Sequence, residues 1–208
     1  MYEVGKLLNY IVGREGTELR LFVPKVSLLE LIAGKQIEYC GIWLDDGRSI
    51  SAEQRKKAYA MFADIADWTG YTAAETKDQM KYLYIAQTGA PEFSLSDCTM
   101  DRARDFITFM LDLSLSMGIW LSDAGINRTD DIDRYLYSCL KHKRCCVCGR
   151  DGEIHHEDAI GMGRNRKKFD DSRLKKMCVC RKHHTEAHTI GISELRKKYK
   201  VYGIIFNT

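Results

Sequence analysis

The sequence predicts an α+β fold in two parts. Residues 1–125 are predicted to form a mixed strand and helix domain with a helical core, and residues 126–208 a linking helix followed by a small module rich in cysteine and histidine. Two observations indicate this division. Strand-like and then helical apolar patterns fill the first part. Five of the eight cysteines and five of the six histidines lie after residue 144.

The N-terminal part is predicted to begin with a β-hairpin. Within residues 4–23, β-forming residues stand on both sides of a turn at residues 13–16. A short helix over residues 26–33, closed by Gly34, and a strand over residues 37–44 are expected next.

Three predicted helices supply the core of this part. Ser51 followed by Gln54 is typical of a capping box, and the helix that they open runs to about Trp68. Further helices are predicted over residues 72–86 and 100–117, each followed by a glycine. The side chains expected to face the core at helical spacing are Ala58, Phe62, Ile65, Ala66, Phe106, Phe109, Met110 and Leu113.

Residues 122–127 are the best linker candidate, and a helix over residues 130–143 leads from them into the cysteine-rich segment. No run approaches the roughly 18 apolar residues of a membrane span, and the N-terminus lacks the layout of a signal peptide. We therefore expect a cytoplasmic protein without a membrane partner. In a reducing compartment, clustered cysteines bind metal more often than they form disulfides. The scattered Cys40, Cys98 and Cys139 are expected to be small buried fillers.

The two parts carry opposite charge. Residues 141–208 hold 17 Lys and Arg against 8 Asp and Glu, a net charge of +9, whereas the rest of the chain carries −6 within the overall +3. A basic module suits a polyphosphate partner such as DNA.

The spacing of cysteines in the basic module predicts a structural Zn²⁺ site. Cys145 and Cys148 supply one tight pair of donors, and Cys180 and His183 supply the other, as in tetrahedral sites with thiolate and imidazole ligands. Such a staple is physically reasonable for a module too small to bury much core. Two alternative ligands stay open, namely Cys146 and Cys178.

Four histidines indicate a second metal site. His155 and His156 are neighbours on a predicted strand, so they point to opposite faces. His184 and His188 are four residues apart, so they share one helix face and can chelate one divalent cation. One histidine of the strand pair can then serve as ligand and the other as general base. A purely structural zinc fold with spare surface histidines is the alternative.

These motifs resemble the HNH (ββα-metal) endonuclease superfamily. The segment from Ile154 to Arg166 and the segment from Cys180 to Gly191 are similar to HNH nucleases of phages and prophages. The resemblance covers about residues 141–208 and implies cleavage of DNA with a bound divalent metal.

The resemblance also implies roles for single residues. His156 matches the general base, and His155, His184 and His188 match the ligands of a catalytic Mg²⁺, Mn²⁺, Ni²⁺ or Zn²⁺. Relatives place an Asn between the two halves, about ten residues before the helical ligand, and this chain has none there. Asn165, Asp171 or a backbone carbonyl is expected to orient His156 instead. The basic loop is expected to contact DNA phosphates through Arg164, Arg166, Lys167 and Lys168.

The order of elements in the N-terminal part resembles phage recombination proteins of the NinB/Orf type. That resemblance implies binding of single-stranded or branched DNA, with Arg48, Gln54 and Arg55 as contacts. A dimerisation domain, giving a homodimer, or a loading domain is the competing interpretation.

The sequence as a whole predicts a metal-dependent DNA endonuclease that acts in phage DNA recombination or processing. The alternatives are a non-catalytic, zinc-containing, DNA-binding recombination mediator and a mediator whose N-terminal domain does the main work. Loss of cleavage on removal of the His156 side chain would separate the first hypothesis from the other two.

Overall fold

The computed structural model describes residues 5–24, 32–34, 42, 47–157 and 172–206. Helices and strands both occur, so the α+β class predicted from the sequence is confirmed. The elements, in chain order, are β1 (Lys6–Val12), β2 (Thr17–Phe22), α1 (Ala52–Thr69), α2 (Ala73–Thr88), α3 (Met100–Met117), α4 (Gly125–Arg128), α5 (Ile132–Lys141), β3 (Glu153–His156), β4 (Lys175–Val179), α6 (Arg181–Ile190), α7 (Ile192–Tyr199) and β5 (Ile204–Ile205).

The predicted N-terminal hairpin is confirmed. Strands β1 and β2 pair antiparallel, and the turn is closed by a hydrogen bond of 2.8 Å that Gly13 N–H donates to Gly16 O. The helix predicted over residues 26–33 and the strand predicted over residues 37–44 lie almost wholly outside the described residues, as does Cys40.

Helix α1 begins and ends where the sequence predicts. Ser51 Oγ accepts from Gln54 N–H at 3.0 Å while Gln54 Oε1 accepts from Ser51 N–H at 3.1 Å, which is a complete capping box. Gly70 ends the helix at a φ of 80°, a left-handed conformation that a side chain disfavours. The other two helices of this part end in the same way, at Gly89 and Gly118.

Aromatic rings fill the space between α1, α2 and α3. Phe106 is fully buried, and its ring centroid lies 5.2 Å from that of Phe93 and 5.3 Å from that of Tyr84. Phe62 on α1 packs at 6.1 Å on another side. The predicted core residues are confirmed as buried or, for Phe109 and Leu113, as partly buried against the core.

The segment between the two predicted domains is well connected. Its short helix α4 carries Arg128, whose guanidinium donates to Asp64 at 3.4 Å and to Ser122 Oγ at 3.0 Å. Lys57 pairs with Asp130 at 2.6 Å. One buried cluster continues from α1–α3 into α5 and β4. The boundary between residues 125 and 126 stays a prediction.

The C-terminal sheet places the histidines. Strand β4 is its centre, with β3 and β5 antiparallel on either side. His155 lies opposite Met177, and His156 lies opposite Lys176. Only Cys180 separates the end of β4 from the start of α6, so the chain runs strand, strand, helix through this region. Among the described residues, no helix combines the length and the apolar character that crossing a membrane requires.

We expect Phe106→Ala to lower the free energy of unfolding by about 3–5 kcal/mol, because it removes a buried ring that four neighbouring aromatic rings contact and leaves a cavity. Urea unfolding followed by circular dichroism measures this. The matched control is Tyr82→Ala, at a ring that is 72% exposed, and its effect should stay within about 0.5 kcal/mol. Equal losses in the two variants would contradict this packing.

Candidate metal centres

Four side chains converge as the predicted zinc ligands, namely Cys145, Cys148, Cys180 and His183. Their ligand atoms all lie within 4.8 Å of one another. Cys148 Sγ is 3.7 Å from Cys180 Sγ, and His183 Nδ1 is 3.3 Å from Cys180 Sγ. Tetrahedral zinc separates two thiolates by about 3.8 Å and a thiolate from an imidazole nitrogen by about 3.6 Å. The donor set and its spacing therefore fit Zn²⁺.

Local backbone geometry brings each pair of donors together. Cys145 and Cys148 lie on a tight turn after α5, where Gly149 N–H donates to Cys145 O at 2.8 Å and Gly149 has a φ of 70°. Cys180 is the N-cap of α6, so His183 follows it in the first helical turn. Each pair is thus fixed by a short segment, and the cluster joins α5 to α6.

The thiols differ in how readily they ionise. Burial raises the pKa of Cys145 to about 12. Burial also opposes ionisation of Cys148, but hydrogen bonds from the Arg150 backbone and side chain outweigh it and lower the Cys148 pKa. A bound cation would hold such buried thiols in the thiolate form.

Cys146 and Cys178, the two alternative zinc ligands, make backbone contacts beside the cluster. Both are buried, and within the described part of the chain neither belongs to the four-ligand cluster. Cys146 N–H donates to Cys178 O at 2.9 Å, and Tyr135 donates from its hydroxyl to Cys146 O at 3.0 Å. The predicted fillers Cys98 and Cys139 are confirmed as buried and free.

His155, His184 and His188 form the second cluster. Their ring nitrogens also lie within 4.8 Å of one another. The ring centroid of His155 is 4.7 Å from that of His184 and 5.1 Å from that of His188. The first ring comes from β3 and the other two from one face of α6, as the spacing predicts. The structure thus brings these three predicted ligands together.

This second cluster is open on one side. His155 is buried, His184 is partly buried and His188 is exposed. Burial, followed by the neighbouring His184 and His188, lowers the pKa of His155 to about 4. Its imidazole is therefore neutral at neutral pH, which is the form that binds metal. Three imidazoles with an open side fit a reactive divalent cation, whereas the Cys/His cluster is closed.

Glu153 is a site residue that the sequence reasoning missed. It lies two residues before His155, so both side chains leave the same face of β3. Glu153 Oε1 is 2.5 Å from His184 Nδ1, and this hydrogen bond lowers the pKa of Glu153. Such a carboxylate fixes the orientation of a metal-binding imidazole. The alternation of side chains along a strand could have predicted this position, because residues two apart on a strand share a face.

His156 lies outside the three-histidine cluster, as expected for the opposite strand face, and it is partly buried. The next residue, Glu157, anchors this end of β3. Its carboxylate lies 3.0 Å from the Arg196 guanidinium and accepts from Gly203 N–H at 3.1 Å. The predicted DNA-contacting residues Arg164, Arg166, Lys167 and Lys168 lie outside the described residues, as do Asn165 and Asp171.

A protein-family model described as "Putative HNHc nuclease" matches residues 23–207. The chain belongs to this nuclease family. Neither the curated proteins nor the solved structures contain a match. The resemblance to HNH nucleases is thus confirmed at the level of the family, and nucleic acid is the substrate class that the family implies. The phage origin and the NinB/Orf-type resemblance stay predictions.

For this HNH family member, we expect about one tightly bound zinc per chain, and Cys180→Ser should lose it because the ligand set becomes incomplete. Zinc content after exhaustive dialysis, measured by mass spectrometry, checks this. Cys146→Ala is the matched control: it removes a buried neighbouring thiol outside the cluster and should keep its zinc. If Cys146→Ala loses zinc and Cys180→Ser does not, the ligand set is wrong.

Proposed function

We propose that this protein is a metal-dependent DNA endonuclease that hydrolyses phosphodiester bonds. The supporting observation is the three-histidine cluster, in which ligands from one strand and one helix converge and leave one side open to solvent. The closed Cys/His cluster beside it supplies stability for the small module, and the family match supports the nuclease class.

The catalytic roles follow from the two faces of β3. When bound by His155, His184 and His188, a divalent cation such as Mg²⁺, Mn²⁺, Ni²⁺ or Zn²⁺ would hold a phosphate oxygen and stabilise the charge that develops there. His156 is the proposed general base, and an imidazole suits this role at neutral pH. It takes a proton from the water that attacks phosphorus, while the bond from phosphorus to the 3′ oxygen breaks.

Two carboxylates position these groups. Glu153 holds the His184 ring through its hydrogen bond at 2.5 Å. Glu157 ties the end of β3 that carries His156 to Arg196 on α7 and to the backbone of Gly203. Both ligand and base are therefore held by contacts that exist without substrate, and this reduces the ordering that binding requires.

The DNA contacts and the biological setting complete the proposal. Arg164, Arg166, Lys167 and Lys168 are proposed to contact backbone phosphates, on the basis of their charge and their position between the two halves of the site. Phage DNA recombination or processing is the proposed setting, on the basis of the sequence resemblance alone.

A nicking assay on supercoiled plasmid tests the proposal. Wild type should relax the plasmid when Mg²⁺, Mn²⁺ or Ni²⁺ is supplied, and His156→Ala should lower the rate by about 10²–10⁴-fold because the base is lost. His142→Ala is the matched control, since that histidine pairs with Asp112 outside both clusters and should retain activity.

Cleavage by wild type with every tested metal absent, or equal activity of His156→Ala and wild type, contradicts the assigned chemistry. DNA binding without cleavage by the zinc-loaded wild type would instead support the non-catalytic recombination mediator.

Glu153→Gln should raise the metal concentration required for half-maximal nicking by about 10–100-fold, because the amide holds the His184 ring more weakly than the carboxylate does. The maximal rate at saturating metal should change much less. Glu194→Gln, which removes a surface charge paired with Lys197, is the control. A fall in the maximal rate without any change in metal requirement would rule out this positioning role.

A further inference from the structure

A cationic cleft lies on the N-terminal helices, away from both metal clusters in the chain. It has a cavity volume of about 190 Å³, several times the roughly 30 Å³ that one water occupies, so it has room for a phosphate group. Its lining residues come from α1, α2 and the segment before α3, and they are Arg55, Tyr59, Lys77, Lys81, Ser94, Leu95 and Ser96.

The charge of the lining is of one sign. Three residues are cations, and none is acidic. Within the described ranges, Arg55, Lys77 and Lys81 form no ion pair with a carboxylate, in contrast to the pairs that Lys57 and Arg128 make close by. Three converging cations without a protein counter-charge are unfavourable unless an anion joins them. This local charge is notable because residues 1–140 carry a net charge of −6.

The hydrogen-bonding groups of the cleft are held in place. Arg55 Nε donates to Leu95 O and its Nη2 donates to Ser96 O, each at 2.9 Å, so the guanidinium is fixed. Ser94 Oγ and Ser96 Oγ lie 2.9 Å apart. A fixed guanidinium beside two hydroxyls and two ammonium groups matches the acceptor oxygens of a phosphate.

One wall of the cleft is aromatic. Tyr59 is 51% exposed, and its ring is braced edge-on by Phe62 at 5.6 Å. An exposed, braced ring next to a phosphate site can stack a nucleic-acid base, and stacking of this kind is typical of single-strand binding. Lys81 Nζ lies over the Phe93 ring, 5.3 Å from its centroid, and this contact keeps the ammonium group near the cleft.

We propose that this cleft binds a backbone phosphate of a single DNA strand, with Arg55, Lys77 and Lys81 as the phosphate contacts and Tyr59 as the stacking surface. The inference rests on the proposed function for the identity of the ligand as DNA. Gln54, which the sequence resemblance gives as a DNA contact, is not part of this cleft. Its side chain is buried, caps α1 and donates to Met100 O at 3.0 Å, so it supports the fold.

Binding of fluorescein-labelled dT20, measured by anisotropy across a salt series, tests the proposal. The full-length chain carries His156→Ala throughout, so that no strand is cut. Lys77→Glu/Lys81→Glu should weaken binding by about tenfold, since each lost phosphate contact costs about half a decade near physiological salt. The slope of log K against log salt should fall by about 1.4, which is the value for two contacts to a single strand.

Lys6→Glu/Lys56→Glu is the matched control, with the same change of charge at exposed lysines of the N-terminal part outside the cleft. It should bind dT20 within about twofold of the His156→Ala parent.

Equal weakening of dT20 binding in the two double variants, or no weakening in either, overturns the proposal. Titration with dTMP is the second arm: if Lys77→Glu/Lys81→Glu abolishes dTMP binding yet leaves dT20 binding unchanged, the cleft serves a free nucleotide and the DNA assignment is wrong. Because this assay measures binding, an inactive wild-type nuclease does not affect its outcome.

Discussion

The C-terminal half depends on one constraint, the convergence of two pairs of donor side chains. One pair lies on the turn after α5, and the other lies at the start of α6. Cys180 directly follows the last residue of β4, is the N-cap of α6 and belongs to the Cys/His cluster. The cluster therefore fixes both where α6 begins and how it is rotated. A helix of ten residues in a module this small has little other buried surface to fix its rotation. Zinc bound there would couple metal binding to folding of the whole module.

The rotation of α6 links the two clusters. His183 and His184 are consecutive, and consecutive helical side chains point about 100° apart. His183 enters the closed Cys/His cluster, so His184 and His188 are turned toward β3, where His155 and Glu153 meet them. The closed cluster thus orients the open one. The first cluster offers four donors, a complete tetrahedral set, whereas the second offers three and would leave a position for a further ligand on a bound cation.

The N-terminal part packs against the C-terminal part and is not joined to it through the connecting segment alone. Its core continues into α5 and β4 through buried side chains, and Arg128 and Lys57 fasten the connecting segment to α1. The family model likewise extends over both parts. The proposed DNA-binding cleft on α1 and α2 would hold a strand at a second point, apart from the proposed catalytic site.

The sequence by itself predicted the hairpin and helices α1–α3 with their ends, because these depend on local signals, whereas α4 falls on the predicted linker and α7 was not predicted. It also predicted two candidate ligand sets, with Cys146 and Cys178 left as alternatives in one of them. Capping residues, glycines with positive φ and the Cys-x2-Cys, Cys-x2-His and His-x3-His spacings act within a few residues. Only the tertiary structure gathers Cys145 and Cys180, rather than Cys146 and Cys178, with Cys148 and His183, because this grouping depends on how the turn after α5 packs against the start of α6. It also brought Glu153 to His184 and gathered Arg55, Lys77 and Ser94 into one cleft. Those pairings join residues far apart in the chain, and only helix and strand packing sets such distances.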